Sequence, residues 1–329
     1  MSLSLEHALP EKRAARRGFD RAVGFEDACV VHDEARRRLL ERLELVRIEP
    51  RVAVDLGCAT GRGARALAER YPTARVVAVD SSAAMLRAAR RQSAAVGAID
   101  VVGGDAERTP LRDGSAQLVL ANLVLPWCRP QAVFAEAARV LDAGGLLLFA
   151  TLGPDSLQEV RRAWAAVDRE LHVHAAFDLH DLGDLALAAG VAEPVIDVDR
   201  IVLSYADLPR LVRDLRACGA ANVAAGRRRT LTGPRRWRAF EQRLLDARRG
   251  TRLDVTVELV LGQGWGRGPR ARGLERTAGG RRSDRAHRAA LGVTRNTGIP
   301  YLERPTSLLE FAAHARCVLR RTSQPLSHA

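Results

Sequence analysis

Short apolar runs alternate with helical patterns along the first half of the chain. The runs predict buried strands at 52–56, 75–79, 99–102, 118–121 and 146–151, and the apolar spacing between them predicts helices at 65–70, 82–94 and 131–141, with a turn at 143–145. Because these strands are apolar almost throughout, we expect a mainly parallel sheet covered by helices on both faces. This is a doubly wound α/β fold.

The flanking regions are predicted to be mostly helical. Helical spacing covers 11–46 and recurs at 155–170, 181–189, 207–218 and 234–248, before a last strand at 253–261. Beyond Gly262, glycine, arginine and proline interrupt the pattern, which predicts a largely disordered tail with one short helix at 307–320. We therefore divide the chain into a domain at 1–265 and an Arg/Gly-rich tail at 266–329. Within the domain, 11–46 is a helical cover, 47–151 a cofactor-binding core and 152–265 the substrate-side helices and last strands.

Charge and cysteine content narrow the class of protein. The 329 residues carry a formal charge of +13, and thirteen arginines against four acidic residues fall within 266–329. Only 4% of residues are aromatic, which argues against a surface that binds single-stranded nucleic acid by stacking on its bases. The five cysteines are scattered without a CxxC pair, which favours a reducing, cytoplasmic location.

The sequence predicts neither a membrane span nor a metal site. No apolar run approaches the roughly 20 residues that cross a bilayer, so we expect no membrane span. His172, His174 and His180 fall close together, but no HExxH motif accompanies them, so we expect no metal.

A glycine-rich turn, GCATGRG at 57–63, follows the first predicted strand. Such a turn lets the backbone approach either a dinucleotide pyrophosphate or the amino-acid end of S-adenosylmethionine. A dinucleotide fingerprint starting at Gly57 would need glycine where Ala59 and Arg62 stand. Asp55, just before the turn, would repel pyrophosphate but suits a ligand with ammonium and sulfonium charges. The turn therefore favours S-adenosylmethionine.

Three aspartates follow consecutive predicted strands. Asp55 ends the first, Asp80 ends the second, and Asp105 follows the third. In a doubly wound fold the second position faces the adenosine ribose, and Asp105 with the Ala106 amide suits the adenine ring. Asp80 could equally cap the next helix, since Asp80-Ser81-Ser82 precedes it. Because parallel strands end at one edge, we expect the three carboxylates to share a crevice.

These motifs resemble those of class I S-adenosylmethionine-dependent methyltransferases, whose fold is a seven-stranded, mainly parallel sheet. The segments at 19–43, 121–128, 149–164 and 211–233 are in addition similar to the malonyl-acyl-carrier-protein O-methyltransferases of biotin synthesis. The last two segments are the most specific to that family. Two positions depart from the pattern: Ala59 replaces the usual glycine, which we expect to matter little, and Phe25 stands where a tyrosine is expected.

The resemblance implies a set of site residues. The candidates for cofactor binding are Asp55, Gly57, Cys58, Ala59, Gly61, Asp80, Ser81, Met85, Asp105, Ala106, Asn122 and Leu123. The candidates for positioning the acceptor are Asn122, Trp127, Arg216 and Arg227, and those for the cavity wall are Phe25, Leu123, Pro126 and Trp127. A malonyl carboxylate is already ionised at neutral pH, so we expect no general base.

The resemblance also implies a partner, an acidic acyl carrier protein that carries the malonyl thioester. A basic body would speed its encounter with that partner. The alternatives are a respiratory-complex assembly factor that modifies protein arginine and a non-catalytic binding protein, although the aspartate trio argues against the latter. A nucleic-acid methyltransferase is not favoured, because no Asn/Asp-Pro-Pro-aromatic motif is present.

Overall fold

A computed structural model describes residues 9–94, 99–248, 250–268 and 318–321. Ten α-helices, one 3-10 turn and eight strands are assigned within these ranges. The helices are α1 (Lys12–Asp20), α2 (Phe25–Ala28), α3 (Val30–Arg42), α4 (Arg62–Arg70), α5 (Ala83–Ser93), α6 (Pro130–Val140), α7 (Gln158–Ala165), α8 (Leu179–Ala189), α9 (Leu208–Ala217) and α10 (Pro234–Asp246) with a 3-10 turn at Leu125–Trp127. The strands are β1 (Val52–Leu56), β2 (Arg75–Asp80), β3 (Ile99–Gly103), β4 (Ala116–Asn122), β5 (Leu141–Leu152), β6 (Val191–Tyr205), β7 (Leu253–Arg267) and β8 (Val318–Arg321).

The strands form one sheet in the order β3-β2-β1-β4-β5-β7-β6-β8. The first five are parallel to their neighbours, whereas β7 runs antiparallel to both β5 and β6. The prediction of a doubly wound, mainly parallel, seven-stranded sheet is confirmed, and β8 adds a short eighth strand beside β6.

The central strands are buried on both faces. On one face Leu118 and Leu148 belong to the apolar cluster that includes Leu39 and Leu67 from α3 and α4. On the other face, Phe149 packs edge-on against Phe134 of α6, with ring centroids 5.0 Å apart. This double burial explains why the strands read as continuous apolar runs.

Three predictions of secondary structure are wrong. The turn expected at 143–145 lies within β5, where the pairing with β7 shifts register and Gly144 takes a φ of +81°. Strand β6 was not predicted, because residues 192–200 are exposed or only partly buried and Pro194 interrupts them. The helix expected at 307–320 fails for its last three residues, which form part of β8.

The helical pattern at 11–46 contains α1, α2 and α3, separated by a turn in which Gly24 takes a φ of +85°. The tail predicted at 266–329 lies outside the described residues apart from 266–268 and 318–321. Among the described helices, none combines the length and apolar character that a membrane span requires.

Candidate functional site

The glycine turn links the end of β1 to the start of α4. The amides of Gly57 and Cys58 both donate to the Val79 carbonyl, at 2.8 and 2.9 Å, which joins the turn to β2. Gly57 takes a φ of +77°, and a Cβ there would lie 2.6 Å from Cγ2 of Val124. Gly61 has a φ of +86° and begins α4. Glycine is therefore required at 57 for both conformation and space.

Ala59 is the strained member of this turn. Its φ is +47°, in the left-handed region that costs a residue with a Cβ about 1 kcal/mol or more. The turn accommodates alanine at this position at the cost of that strain, because the backbone adopts a conformation that favours glycine. Leu123, at the end of β4, is also left-handed, with a φ of +55°. Strain of this kind concentrates at functional sites, and both residues border the predicted crevice.

Asp55 is a buried carboxylate with one unsatisfied oxygen. Its exposure is 2%, and within the described residues Oδ2 has no hydrogen-bond partner. Gly63 makes room for it, since a Cβ at Gly63 would lie 2.6 Å from Oδ2. Burial raises the pKa of Asp55 to about 7; the Ala64 amide opposes this, and the charge of Asp80 adds to it. Such a group gains from a cationic ligand.

Asp80 is held by backbone amides. Oδ2 accepts from the Ala59 amide at 2.9 Å and Oδ1 from the Ser82 amide at 2.8 Å. Burial raises its pKa, although these amides oppose the shift. The N-cap of α5 is Ser82, whose Oγ accepts from the Met85 amide at 3.2 Å. Asp80 therefore secures the glycine turn to the start of α5, while each of its oxygens keeps further accepting capacity.

Met85 and Ser81 lie close to this junction. Met85 is buried in a small cluster with Phe25 and Cys29, against which Ala59 packs. The Ser81 residue is exposed. The cluster thus joins the N-terminal helices to the glycine turn.

Asp105 forms an ion pair with the only lysine of the chain. Lys12 Nζ lies 2.6 Å from Asp105 Oδ2 and 2.6 Å from Glu107 Oε2. Burial lowers the pKa of Lys12, but its hydrogen bonds to Asp105 and Glu107 leave that pKa raised. The Asp105 side chain is 45% exposed, and the neighbouring Ala106 is buried. Helix α1 therefore begins over the predicted adenine position.

The other end of α1 reaches the predicted ribose position. The Ser82 hydroxyl donates to Oδ1 of Asp20, the last residue of α1, at 2.7 Å, and the Ala84 amide donates to the same oxygen at 3.3 Å. Helix α1 is thus fastened at both ends to loops that follow β2 and β3. The sequence analysis missed Lys12, Glu107 and Asp20. The rarity of lysine in an arginine-rich chain was the available signal for Lys12.

Asn122 carries a second unsatisfied oxygen. Its Nδ2 donates to the His32 carbonyl at 3.0 Å, while its Oδ1 is buried without a partner among the described residues. Burial lowers the pKa of His32 to about 4, so this imidazole is neutral at physiological pH. Its ring centroid lies 5.2 Å from that of the buried Phe25. Asn122 is therefore joined to α3 beside a neutral imidazole.

The sheet order brings these residues to one edge. Strands β3, β2, β1 and β4 are adjacent and parallel, and the predicted cofactor residues lie at or just after their carboxyl ends. In open α/β sheets ligands bind in the crevice at this edge. We call this edge, defined by Asp55, Asp80, Asp105 and Asn122, the carboxylate rim.

The positioning candidates lie in three different settings. Trp127 is packed edge-on between Phe19 of α1, at 5.0 Å between ring centroids, and His174, at 5.4 Å. Arg227 donates to Glu11 Oε2 at 3.0 Å and to the Ala224 carbonyl at 2.8 Å. The Arg216 residue is exposed and lines an open groove beside α9. Only Asn122 belongs to the carboxylate rim itself.

Two of the three clustered histidines have packing roles, and His180 is exposed. His172 stacks on Trp164 and its Nε2 lies 2.8 Å from Asp168 Oδ1, whereas His174 Nε2 accepts from the Val223 amide at 2.6 Å. In the described part of the chain no three His, Cys, Asp or Glu side chains are grouped as a metal site.

Comparison with known proteins places the chain in a family. Residues 54–149 match the family model described as a methyltransferase domain. A malonyl-[acyl-carrier protein] O-methyltransferase of Laribacter hongkongensis is 42% identical over 265 residues, covering 78% of this chain and 89% of the relative. Its counterpart in Gallionella capsiferriformans is 38% identical over 270 residues, covering 79% and 92%. The chain belongs to the malonyl-[acyl-carrier protein] O-methyltransferase family.

Membership in this family confirms the predicted resemblance, enzyme class and cofactor: a methyltransferase that uses S-adenosylmethionine. The fold agrees, since the YcgJ protein of Bacillus subtilis aligns with a TM-score of 0.52 at 17% identity, covering 70% of this chain and 98% of that one. The rim fits the cofactor chemically. The buried, unpartnered oxygens of Asp55 and Asn122 can accept from a ligand.

Proposed function

We propose that this chain transfers a methyl group from S-adenosylmethionine to the free carboxylate of a malonyl group on acyl carrier protein, an early step of biotin synthesis. The observation that carries the proposal is the extent of the similarity. It spans 89% of the Laribacter relative and so reaches well beyond the methyltransferase domain at 54–149. The relatives' names do not favour the alternatives, an assembly factor acting on protein arginine or a non-catalytic protein.

We assign cofactor binding to the carboxylate rim and its loops. Asp80 retains accepting capacity for the ribose hydroxyls, and Asp105 and the Ala106 amide suit the adenine edge. Asp55 suits the cationic amino-acid end because its carboxylate is buried and has one oxygen without a partner among the described residues. The remaining members of the proposed set are Gly57, Cys58, Ala59, Gly61, Ser81, Met85, Asn122 and Leu123.

When bound, S-adenosylmethionine supplies an electrophilic methyl group on a positively charged sulfur. The residues of this chain then have two tasks, to orient the malonyl carboxylate and to exclude water. Charge is neutralised when a carboxylate meets a sulfonium, so a poorly solvated cavity favours the reaction. Phe25, Leu123, Pro126 and Trp127 would form that cavity, with the neutral imidazole of His32 beside it.

We propose no general base for this reaction. The malonyl carboxyl group ionises well below neutral pH, so its oxygen attacks without losing a proton. Catalysis then depends on positioning. We propose that Asn122 orients reacting groups directly and that Trp127 fixes the wall of the cavity. Arg227 would support that wall through Glu11.

The partner and location follow from the proposed acceptor. An acidic carrier protein is attracted to a chain with a formal charge of +13. The scattered cysteines fit a reducing cytoplasm, where such carriers act.

The test compares two acyl groups on the same carrier with labelled S-adenosylmethionine. We expect label to enter malonyl-carrier protein and not acetyl-carrier protein, because only malonyl presents a free carboxylate. Alkaline hydrolysis should release the label as methanol, as expected for a methyl ester. Equal labelling of both carriers, or labelling of neither, would overturn the acceptor assignment.

A further inference from the structure

An open groove of about 590 Å³ lies on the surface of the described domain. It runs between α9, α10 and the turn after α1. We call it the arginine groove and define it by Arg21, Val23, Val212, Arg213, Arg216 and Trp237. We propose that it is the surface on which an acidic helix of the carrier protein docks. This inference rests on the proposed function and names the place where the acceptor is delivered.

The first argument is unneutralised charge. Arg21, Arg213 and Arg216 are exposed, and within the described residues none lies within 4.0 Å of a carboxylate oxygen. Some other surface arginines are paired, as Arg37 is with Glu34 and Glu41, so these three keep a charge that a partner can meet. The groove lining contains three arginines and one glutamate, Glu241. Its local charge is therefore positive and available to an acidic partner.

The second argument is exposed apolar surface in the same place. Val23 is 88% exposed, and Trp237 is 38% exposed although its neighbour Phe240 is buried. Val212, Arg213 and Arg216 fall at helical spacing on α9, so apolar and basic groups share one face. Such a face suits an amphipathic helix that presents acidic residues around an apolar centre.

The third argument is the connection between the groove and the site. Ala217 lines the groove, and the next residue, Cys218, packs against the cluster of Phe25 and Met85 in contact with the glycine turn. Gly219 then approaches the Phe19 ring, which packs on Trp127; a Cβ there would lie 2.9 Å from that ring. Three consecutive residues thus lead from the groove to the proposed acceptor wall.

The turn after α1 repeats this arrangement. Arg21 and Val23 line the groove, whereas Ala22 between them packs against the Phe25 cluster. A carrier helix in the groove would therefore contact residues 21–23 and 217–219, the two segments that also pack against the proposed site.

The test uses the full chain with Arg21→Glu and Arg213→Glu combined. We expect the KM for malonyl-carrier protein to rise about tenfold or more, with kcat unchanged, because steering and docking are lost. Activity with malonyl-pantetheine, which carries the same acyl group without the carrier, should stay within twofold of wild type. The matched control, Arg90→Glu with Arg91→Glu on α5, changes the same charge on exposed arginines outside the groove.

A second variant tests the apolar contribution. Val23→Glu changes a residue that is almost fully exposed, so folding should be preserved. We expect a several-fold rise in KM with the carrier substrate alone.

Three results would overturn the docking proposal: an unchanged KM in the double variant, an equal loss with malonyl-pantetheine, or an equal rise in the α5 control. A change of oligomeric state in the double variant would instead assign the groove to a second copy of the chain. Failure of the proposed function would look different, since wild-type protein would then methylate neither malonyl substrate.

Discussion

The two ends of the carboxylate rim are built on opposite principles. At one end, Asp55 is buried and Asn122 is half-buried, and each keeps a buried oxygen without a partner among the described residues. At the other end, Asp80 accepts from two backbone amides, and Asp105 pairs with Lys12. We call these the buried end and the covered end.

The difference shows where the rim can gain affinity. A buried polar atom without a partner costs about 1–3 kcal/mol, which a ligand donor can recover on binding. At the covered end the carboxylates are already satisfied, so a ligand must share them with groups of the protein. The buried end therefore favours binding because a ligand supplies the hydrogen bonds that its oxygens lack. The covered end instead supplies a preorganised shape and a helix, α1, that closes it.

The largest effect on cofactor affinity should come from replacing Asp80, at the covered end. We expect Asp80→Ala to weaken S-adenosylmethionine binding about tenfold or more, because charged hydrogen bonds of about 1.5–3 kcal/mol each are lost. The Ala59 and Ser82 amides also lose their acceptor. Isothermal titration measures the affinity, and a melting curve checks the fold. The control is Asp100→Ala, which removes an exposed carboxylate of β3 that pairs with Arg75 of β2. Unchanged affinity in the Asp80 variant would remove the ribose assignment.

The buried end should be marked by its pH dependence. Burial raises the pKa of Asp55 to about 7, while the Ala64 amide and Arg36 oppose the shift and Asp80 adds to it. A cationic amino group binds the ionised form, so affinity is greatest above pH 7. Below pH 7 it falls as the carboxyl takes up a proton, by up to about tenfold per pH unit.

S-adenosylhomocysteine is a suitable probe for this measurement because it presents the same amino-acid end without the sulfonium. Its affinity is compared between pH 5.5 and 7.5 in wild type and in Asp55→Asn. The variant should bind more weakly at pH 7.5 and lose most of the slope. Any slope that remains reports on Asp80, whose pKa is also raised by burial. An identical slope in both proteins would contradict a cationic ligand at Asp55.

The composition of the rim was predictable from sequence for a simple reason. The central strands are buried on both faces, so apolar runs mark them, and parallel strands end at a common edge. Asp55, Asp80 and Asp105 could therefore be grouped before any contact was known. Strand β6 was not predicted because residues 192–200 are exposed or only partly buried, so the strand lacks a continuous apolar run.

The hydrogen-bond and ion-pair partners of the rim residues were not predictable from the sequence. Whether a carboxylate is satisfied depends on side chains brought from distant parts of the chain, and the Lys12–Asp105 contact spans 93 residues. The strain at Ala59 was likewise invisible, because a turn's sequence does not reveal which residue becomes left-handed. Sequence patterns indicate which residues share an edge, and the packing decides which of them remain free.

The smallest effect tests whether α1 closes the covered end. Lys12 bridges Asp105 and Glu107 at partly exposed positions, where an ion pair contributes about 0.2–1 kcal/mol. We expect Lys12→Gln to raise the dissociation rate of S-adenosylmethionine about two- to fivefold, measured by stopped-flow displacement. Arg13→Gln makes the same charge change at the next, exposed residue of α1 and should leave the rate unchanged. Slower dissociation in the Lys12 variant would mean that the lysine competes with the cofactor for Asp105, so that α1 obstructs the adenine position. Faster dissociation in the Lys12 variant alone would show that this ion pair holds α1 over the bound cofactor. The covered end would then contribute to affinity by closing over the cofactor and not by offering polar atoms without partners.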